Sequence, residues 1–341
     1  MNNTGNTKKS QDHLNKPKEK KLKTSIFVEF MKNKGVNMNR LSQCGNFLKF
    51  QANHDKTAFL LSGGNFCENR FCPVCSWLKA KRTAFELLEL LKVVELQENK
   101  KFLFITLTAP NVRGEELPQE ITNFNKSFKR LFQLSEFVKI NKGFIRKLEV
   151  TYQSDQYVTK ENKNKYKNLP IGTKLESYNT YHPHFHVIVA VNPSYFKSKD
   201  YLSKRRLLEL WQKSARNSSI TQVDIAPVRV NSIYEIMEMA TYSAKQGDLL
   251  RSQETFDVFY KALKGRQLIT YNGIFKEYRK KIKDDEINLD EILELKALQE
   301  KAITEIIYKW EHQEQEYKEA QERELQPDEQ KSFYNLQIDV D

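Results

Sequence analysis

The segment that most constrains the fold of this chain is the run Tyr181–Val191, which reads YHPHFHVIVAV. In an extended chain successive side chains point to opposite faces, so His182, His184 and His186 share one face and the apolar side chains between them share the other. Three of the six histidines therefore lie on one side of one strand. Imidazole is a common metal ligand, so this face predicts a metal site in preference to packed core histidines.

Neighbouring segments predict the rest of a sheet. The runs around Phe102, Ile145, Val187 and residues 223–230 are rich in β-branched and aromatic residues, and segments with helical periodicity lie between them. We therefore expect an α+β fold with a central antiparallel β-sheet and helices packed on one face. The histidine strand should lie in the middle of this sheet.

A second group of reactive side chains follows in the segment EIMEMATYSAKQGD. If residues 232–246 are helical, Glu238 and Tyr242 are four positions apart and Lys245 follows three later, so all three share a face. A tyrosine on a helix is usually a half-buried aromatic, and the triple alone carries little weight. Beside a metal strand it completes a strand-transfer site, because a metal polarises a phosphodiester, a phenol attacks phosphorus and a carboxylate moves protons.

All four cysteines lie in the first quarter of the chain. Cys67, Cys72 and Cys75 form a C-x4-C-x2-C cluster, and Cys44 brings the count to the four ligands of a tetrahedral zinc ion. His54 is an alternative to Cys44 as the fourth ligand, and a set of buried thiols is the competing interpretation. Because four protein ligands leave no open position, structural Zn²⁺ here would hold a small region together.

The charge is unevenly distributed along the chain. The formal net charge is +12, but residues 281–341 hold 8 basic and 18 acidic side chains, which leaves an excess of 22 positive charges on residues 1–280. Such an excess favours a polyanionic partner, with nucleic acid as the leading candidate. No apolar run is long enough for a membrane span or a secretory signal, so we expect a cytoplasmic protein without a membrane partner.

These patterns divide the chain into four parts. Residues 1–24 are lysine-rich and predict a disordered basic arm that either contacts phosphates or only aids solubility. Residues 25–95 predict a Cys-rich region and a helix, and residues 96–280 hold the predicted strand-transfer site. Residues 281–341 predict an acidic amphipathic helical tail that mediates a homodimer or folds back. Its apolar positions are Ile292, Leu295, Ala302, Ile303, Ile306 and Trp310.

Taken together, these motifs resemble the rolling-circle replication initiator proteins of small plasmids from Gram-positive bacteria, in the single-tyrosine branch of the HUH endonucleases. The resemblance runs from about Cys67 to Tyr278. It covers the cysteine cluster, the segments FITLTAPNV, IRKLEVTY and HPHFHVIVAV, and the E-x-x-x-Y-x-x-K pattern. Short pieces such as TLT are weak signals, whereas the histidine strand followed by that pattern is specific.

The resemblance implies binding of the plasmid double-strand origin and nicking of one strand, which leaves a 3′-OH for the host polymerase while a host helicase unwinds the duplex. Tyr242 would become a 5′-phosphotyrosyl group. His184 and His186 would hold Mg²⁺ or Mn²⁺. The third ligand would be Glu149 or His182, with Glu149 preferred because a neighbouring strand can present a carboxylate to the same face.

The resemblance gives Glu238 and Lys245 separate roles. Glu238 would activate water at termination, when the displaced single strand is released. Lys245 would steady the phosphate or favour the phenolate, or else be an ordinary exposed lysine. Two rival functions stand beside this one: an HUH relaxase or transposase, and a non-catalytic zinc-containing DNA-binding protein.

Overall fold

The computed structural model describes residues 12–228, 233–241, 243–284, 286–287, 297–330 and 332–334. The chain divides into two compact units, the first made of residues 1–83 and 290–341 and the second of residues 84–289. The N-terminal region and the tail thus belong to one unit, whereas the sequence predicted separate parts. Among the described helices, none is long and apolar enough to cross a membrane.

The helices and strands follow one another in a mixed order along the chain. The helices are α1 (Asp12–Leu22), α2 (Thr24–Met31), α3 (Met38–Ser42), α4 (Pro73–Glu98), α5 (Leu117–Leu131), α6 (Ser135–Ile140), α7 (Lys204–Ala215), α8 (Ile233–Ala240), α9 (Gln246–Leu249), α10 (Gln253–Leu263) and α11 (Ile274–Lys283). The strands are β1 (Phe47–Ala52), β2 (Phe59–Gly64), β3 (Lys101–Thr108), β4 (Gly143–Gln153), β5 (Thr180–Val191), β6 (Val223–Val228), β7 (Ile269–Tyr271), β8 (Ala297–Lys301), β9 (Thr304–Glu311), β10 (Glu316–Glu324) and β11 (Ser332–Tyr334).

The second unit is built on a five-stranded antiparallel sheet in the order β6-β3-β5-β4-β7. The histidine strand β5 is central, as the sequence predicted, and is paired on both sides. Its register places His186 opposite Thr106 of β3 and opposite Lys147 of β4. The α+β class with an antiparallel sheet is therefore confirmed.

Helices cover both faces of this sheet, whereas the sequence predicted one covered face. On the Phe185 face, the ring of Phe124 from α5 stacks at 4.3 Å and Trp211 from α7 meets Phe124 edge-on at 5.2 Å. On the histidine face, Phe275 of α11 packs against Phe102 at 5.8 Å. The physical reason is that only one end of the histidine face is polar, and its other end is apolar and requires burial.

The first unit contains a four-stranded antiparallel sheet in the order β10-β9-β1-β2. The predicted helical tail is therefore wrong for the described residues after position 296, which form strands β8 to β11, whereas α11 ends at Lys283. Ile292 and Leu295 lie outside the described residues. Ile306 and Tyr308 are buried while Lys309 is exposed, which is the period of a strand. Pairing with β1, at Tyr308 opposite Leu48, selects the strand over the helix.

The predicted disordered basic arm is also wrong over residues 12–24, which form α1 and the first residue of α2. Leu14 lies in the apolar cluster of the first unit, and Phe27 is fully buried. The Lys21 ammonium donates to the Cys44 carbonyl at 2.7 Å. The lysine-rich composition did not predict these helices, because a lysine can bury its aliphatic stem while its ammonium donates to an acceptor. The rest of the predicted arm, residues 1–11, lies outside the described residues.

Candidate functional site

Strands β4 and β5 bring three candidate metal ligands together. The antiparallel register places Glu149 directly opposite His184. The Glu149 Oε2 atom is 3.2 Å from His186 Nε2 and 3.6 Å from His184 Nε2. One ligand atom from each of the three residues lies within 4.8 Å of the others. The sheet therefore presents two imidazole nitrogens and one carboxylate oxygen to a single point.

This donor set fits a divalent cation. All three side chains are buried, and His186 Nε2 is buried without a hydrogen-bond partner although it faces carboxylate oxygens. A bound cation would satisfy that nitrogen and the Glu149 carboxylate together. Three protein ligands leave further positions for water and phosphate oxygens.

His182 is not part of this group, although it shares the strand face that the sequence identified. It lies opposite Thr151, one side-chain repeat further along the sheet than Glu149 and about 7 Å away along the strand. Its backbone carbonyl lies 3.3 Å from His184 Nδ1, and its ring centroid is 5.6 Å from that of His184, but its ring nitrogens do not join the group. Of the two candidates for a third ligand, the structure brings Glu149 to the pair and leaves His182 outside.

Second contacts fix the orientation of both imidazoles. His184 Nδ1 faces the His182 carbonyl, and His186 Nδ1 lies 3.5 Å from the Thr106 hydroxyl. The ring of Phe104 stacks on His186 at 5.5 Å. Because each Nδ1 atom is turned toward an oxygen, each Nε2 atom is directed at Glu149, which is the way that metal-binding histidines are usually held.

The surrounding charges set the protonation of the group. Burial raises the pKa of Glu149, but the neighbouring imidazoles of His184 and His186 and the positive charge of Lys147 lower it by more, so the pKa lies well below its ordinary value. Burial lowers the pKa of His186, and Glu149 opposes this only in part. An ionised carboxylate and a neutral imidazole are the forms that bind a metal.

Helix α8 brings a second carboxylate to the same place. The Glu238 Oε2 atom lies 3.4 Å from His186 Nε2, and its side chain is 33% exposed. This carboxylate is therefore in contact with the candidate metal group on one side and with solvent on the other. The structure places Glu238 beside the histidine strand, which the sequence could only assume.

Lys147 is a functional candidate that the sequence analysis missed. Its side chain is fully buried, and its ammonium donates to the Glu238 carbonyl at 2.6 Å and to the Thr241 hydroxyl at 3.0 Å. It also lies 3.5 Å from Glu149 Oε2. The available signal was a lysine two positions before Glu149, and hence on the same face of a buried strand.

The predicted helix over residues 232–246 ends early. In the structure α8 stops at Ala240, and Lys245 is an exposed residue just before the short helix α9. The shared helical face predicted for Glu238 and Lys245 is therefore wrong. The helix ends near the point where the Lys147 ammonium donates a hydrogen bond to the Glu238 carbonyl, an acceptor that a continuing helix would use for its own backbone.

Tyr242, the predicted nucleophile, lies outside the described residues. Both of its sequence neighbours contact β4. Thr241 accepts from the Lys147 ammonium, and the Ser243 carbonyl accepts from the Val150 amide at 2.8 Å. These contacts lie on either side of Glu149 along the strand, so the chain just before and just after position 242 is held beside the candidate metal group.

The four cysteines converge as the sequence predicted. The Sγ separations are 3.5 Å for Cys44 and Cys75, 3.6 Å for Cys67 and Cys75, and 3.6 Å for Cys72 and Cys44. A tetrahedral zinc ion with Zn–S bonds of about 2.3 Å has sulfur separations of about 3.8 Å. None of the four is in a disulfide. The donor set fits Zn²⁺.

Backbone contacts support thiolates in this cluster. The Cys67 amide donates to Cys44 Sγ at 3.4 Å, and the Glu68 amide donates to Cys75 Sγ at 3.2 Å. Such bonds stabilise the ionised form that binds zinc. His54, the alternative fourth ligand, is 87% exposed and pairs with Asp55. It is not part of the cluster.

Comparison with known proteins adds the family. A family model described as replication protein matches residues 58–318. The chain belongs to this family of replication proteins. A protein rep of Staphylococcus aureus is 39% identical over 241 residues, which are 70% of this chain and 96% of the relative. A protein rep of Lentilactobacillus hilgardii is 29% identical over 317 residues, which are 88% of this chain and 93% of the relative.

A protein rep of Streptococcus pneumoniae is 29% identical over 250 residues, which are 71% of each chain. No solved structure gave a significant match. The resemblance to plasmid rolling-circle replication initiators is therefore confirmed at the level of the family. The matched part of this replication protein contains Glu149, His184, His186 and Glu238, together with three of the four clustered cysteines.

Proposed function

We propose that this replication protein initiates rolling-circle replication by binding the plasmid double-strand origin and nicking one strand in a metal-dependent reaction. The observation that carries the proposal is the convergence of Glu149, His184 and His186 on one buried point, with Glu238 3.4 Å from His186. Membership of a replication protein family makes plasmid DNA the substrate that fits such a group.

Glu149, His184 and His186 would hold the cation. Mg²⁺ and Mn²⁺ both fit a reaction on phosphate oxygens, and the two imidazole donors favour Mn²⁺. A divalent cation bound there supplies Lewis acidity to the scissile phosphate. The protein contributes the rest: the sheet fixes the donor geometry, and Lys147 keeps the Glu149 carboxylate ionised in a buried place.

Tyr242 is the proposed nucleophile. Its phenol oxygen bonds to phosphorus while the bond from phosphorus to the 3′ oxygen of the preceding nucleotide breaks. The phenol proton passes to solvent, and the released oxygen takes up a proton to become the 3′-OH primer. The support is the anchoring of Thr241 and Ser243 to β4 beside Glu149. Lys245 is exposed, as a phosphate contact requires.

Glu238 is the proposed base at termination. Its carboxylate is partly exposed and lies at the edge of the candidate metal group, so water can reach it. Abstraction of a proton from that water would make the last cleavage hydrolytic and leave no second covalent adduct. This allows a single tyrosine to suffice for one round of replication.

The remaining parts of the proposal concern partners and the second ion. The Cys44, Cys67, Cys72 and Cys75 cluster would hold structural Zn²⁺. The protein would act in the cytoplasm on origin DNA and on the displaced single strand, with host helicase and polymerase as partners, and a homodimer is a further element of the proposal. A relaxase or transposase would use the same chemistry on another DNA site.

The test uses a supercoiled plasmid that carries its own origin. Purified full-length protein with Mn²⁺ should produce open circles and a detergent-stable protein–DNA adduct, and EDTA should prevent both. His184→Ala should nick at background level, whereas His312→Ala, which changes an exposed histidine, should nick normally. Undiminished nicking by His184→Ala would remove this histidine group from the reaction, and absence of nicking and of the adduct with wild-type protein would favour the non-catalytic DNA-binding protein.

A further inference from the structure

A cavity of about 480 Å³ opens in the second unit where β4 ends and β5 begins. Tyr152 and Tyr181 are register partners at its wall, with ring centroids 5.1 Å apart. Tyr178 adds a third aromatic side chain, and Arg113 and Arg251 lie at the rim. The metal group lies elsewhere on β4 and β5, so this cavity is separate from it.

The wall of the cavity is held rigidly. The Arg113 guanidinium donates to the Tyr178 carbonyl at 3.0 Å, and the Tyr152 hydroxyl donates to the Asn179 side-chain oxygen at 3.0 Å. Asn179 has a φ of 58°, a left-handed conformation that asparagine tolerates better than most residues. The turn before β5 is therefore fixed with its tyrosine at the cavity, which lowers the entropy cost of binding a ligand.

The chain that follows position 242 connects the candidate metal group to this cavity. Residues 243–251 run beside the outer half of β4 and contact positions 150, 152 and 154, the last of which directly follows the strand. The three contacts are Val150 N to Ser243 O at 2.8 Å, Tyr152 N to Asp248 Oδ2 at 3.3 Å, and Arg251 Nη2 to Ser154 Oγ at 3.0 Å. Tyr152 is three residues from Glu149, about 10 Å along the strand, and by strand alternation its side chain lies on the opposite face of the sheet.

The chemistry of the cavity favours a neutral aromatic ligand. Arg113 and Arg251 are balanced by Glu115 and Glu254, which also line it. Such a balance does not select a free polyphosphate, which needs an excess of positive charge. Tyrosine rings and guanidinium planes instead stack on nucleobases, and the remaining polar groups meet a base edge. The volume lies in the range of small-ligand sites.

We propose that this cavity is a subsite for one unpaired base of the strand that is nicked. This rests on the proposed function for its orientation. With the scissile phosphate at Glu149, a strand that follows residues 243–251 around the edge of β4 passes from the histidine face to the cavity on the opposite face. Tyr178 stacks on the base, and the guanidinium plane of Arg251 at the rim packs against the same base. The pocket thus holds the single strand in register with the cleavage point.

The experiment compares two probes on the full-length protein in EDTA, where no cleavage occurs. One is a fluorescein-labelled oligothymidylate about 12 nucleotides long, and the other is an abasic strand of the same length, which keeps the phosphates and lacks the bases. Wild type should bind the first about 10-fold more tightly, and Tyr178→Ala or Arg251→Gln should remove most of that preference. Both side chains are exposed, so neither change removes a buried group.

The matched controls are Tyr201→Ala and Arg205→Gln, which alter exposed side chains outside the cavity. Both should keep the wild-type preference for bases. The subsite proposal is overturned if the cavity variants lose affinity for both probes equally, or if they lose affinity for neither probe. If the wild-type protein prefers bases but does not nick its origin plasmid, the base subsite stands and the proposed function is wrong. If it nicks the plasmid without preferring bases, the proposed function stands and the subsite is wrong.

Discussion

The buried ammonium of Lys147 on β4 donates to the backbone carbonyl of Glu238 on α8 at 2.6 Å. Burial lowers the pKa of Lys147, and the charges of Glu149 and Glu238 oppose that shift. One side chain thus neutralises a buried carboxylate, ends a helix and ties that helix to the candidate metal strand. Such a group is costly to bury unless all its contacts are made, which makes it a sensitive point of the site.

Lys147→Met should therefore damage both stability and nicking. The substitution leaves the Glu149 carboxylate without its compensating charge and frees the end of α8, so we expect a loss of about 3 kcal/mol in the free energy of unfolding. Urea denaturation measures this loss, and nicking of origin plasmid measures the loss of function. Lys142→Met, which changes an exposed lysine just before the same strand, is the control. Equal stability of the two variants would contradict this role for Lys147.

Tyr242→Phe should abolish nicking and leave origin binding near normal. The change removes one oxygen, the atom that attacks phosphorus, and we expect a fall of more than about 1000-fold in the nicking rate. The measurement is conversion of supercoiled origin plasmid to open circles, together with a gel-shift assay on the same DNA. Tyr201→Phe removes a hydroxyl from an exposed tyrosine and should have no effect. Nicking at the wild-type rate would remove Tyr242 as the nucleophile.

Glu238→Ala should separate initiation from termination. Nicking should persist because Glu149, His184 and His186 are intact, but release of monomeric single-stranded circles should fail and longer products should accumulate. Gel analysis of replication products in a host extract measures this. Glu235→Ala, on the same helix, is the comparison. Normal circles from the Glu238 variant would show that another group activates the water, and loss of nicking would assign Glu238 to the metal.

Cys72→Ser should release zinc and unfold the first unit. The purified protein should carry about one zinc ion per chain, and loss of one thiolate from a site with four cysteine ligands removes most of the binding energy that supports a small domain. Elemental analysis and thermal unfolding followed by circular dichroism measure the two effects. His54→Ala should retain the metal because His54 is exposed and outside the cluster. If the wild-type protein contains no zinc and is fully stable, the four cysteines are ordinary buried thiols and the zinc site is wrong.

The success and failure of the sequence predictions follow from how local each feature is. The shared face of His184 and His186 depends only on strand alternation, and the central position of their strand follows from its near-continuous apolar run. The helix predicted for the tail was wrong because its apolar residues fit both periods. Ile303, Ile306 and Trp310 have helical spacing, while Ile306, Tyr308 and Trp310 alternate as in a strand. Pairing with β1, which lies far earlier in the chain, decided between the two.

By itself the sequence determined which residue types carry chemistry and which face of one strand presents them, because spacing along an extended chain is a local property. The family resemblance already favoured Glu149 over His182, but only the tertiary structure brings Glu149 to the histidine pair, since the register between β4 and β5 joins residues 35 positions apart, as in the pair of Glu149 and His184. Only the tertiary structure placed Lys147 beneath the end of α8, where a buried cation stops the helix before position 242. Register and burial are long-range properties, and the free energy that fixes them belongs to the packed sheet as a whole.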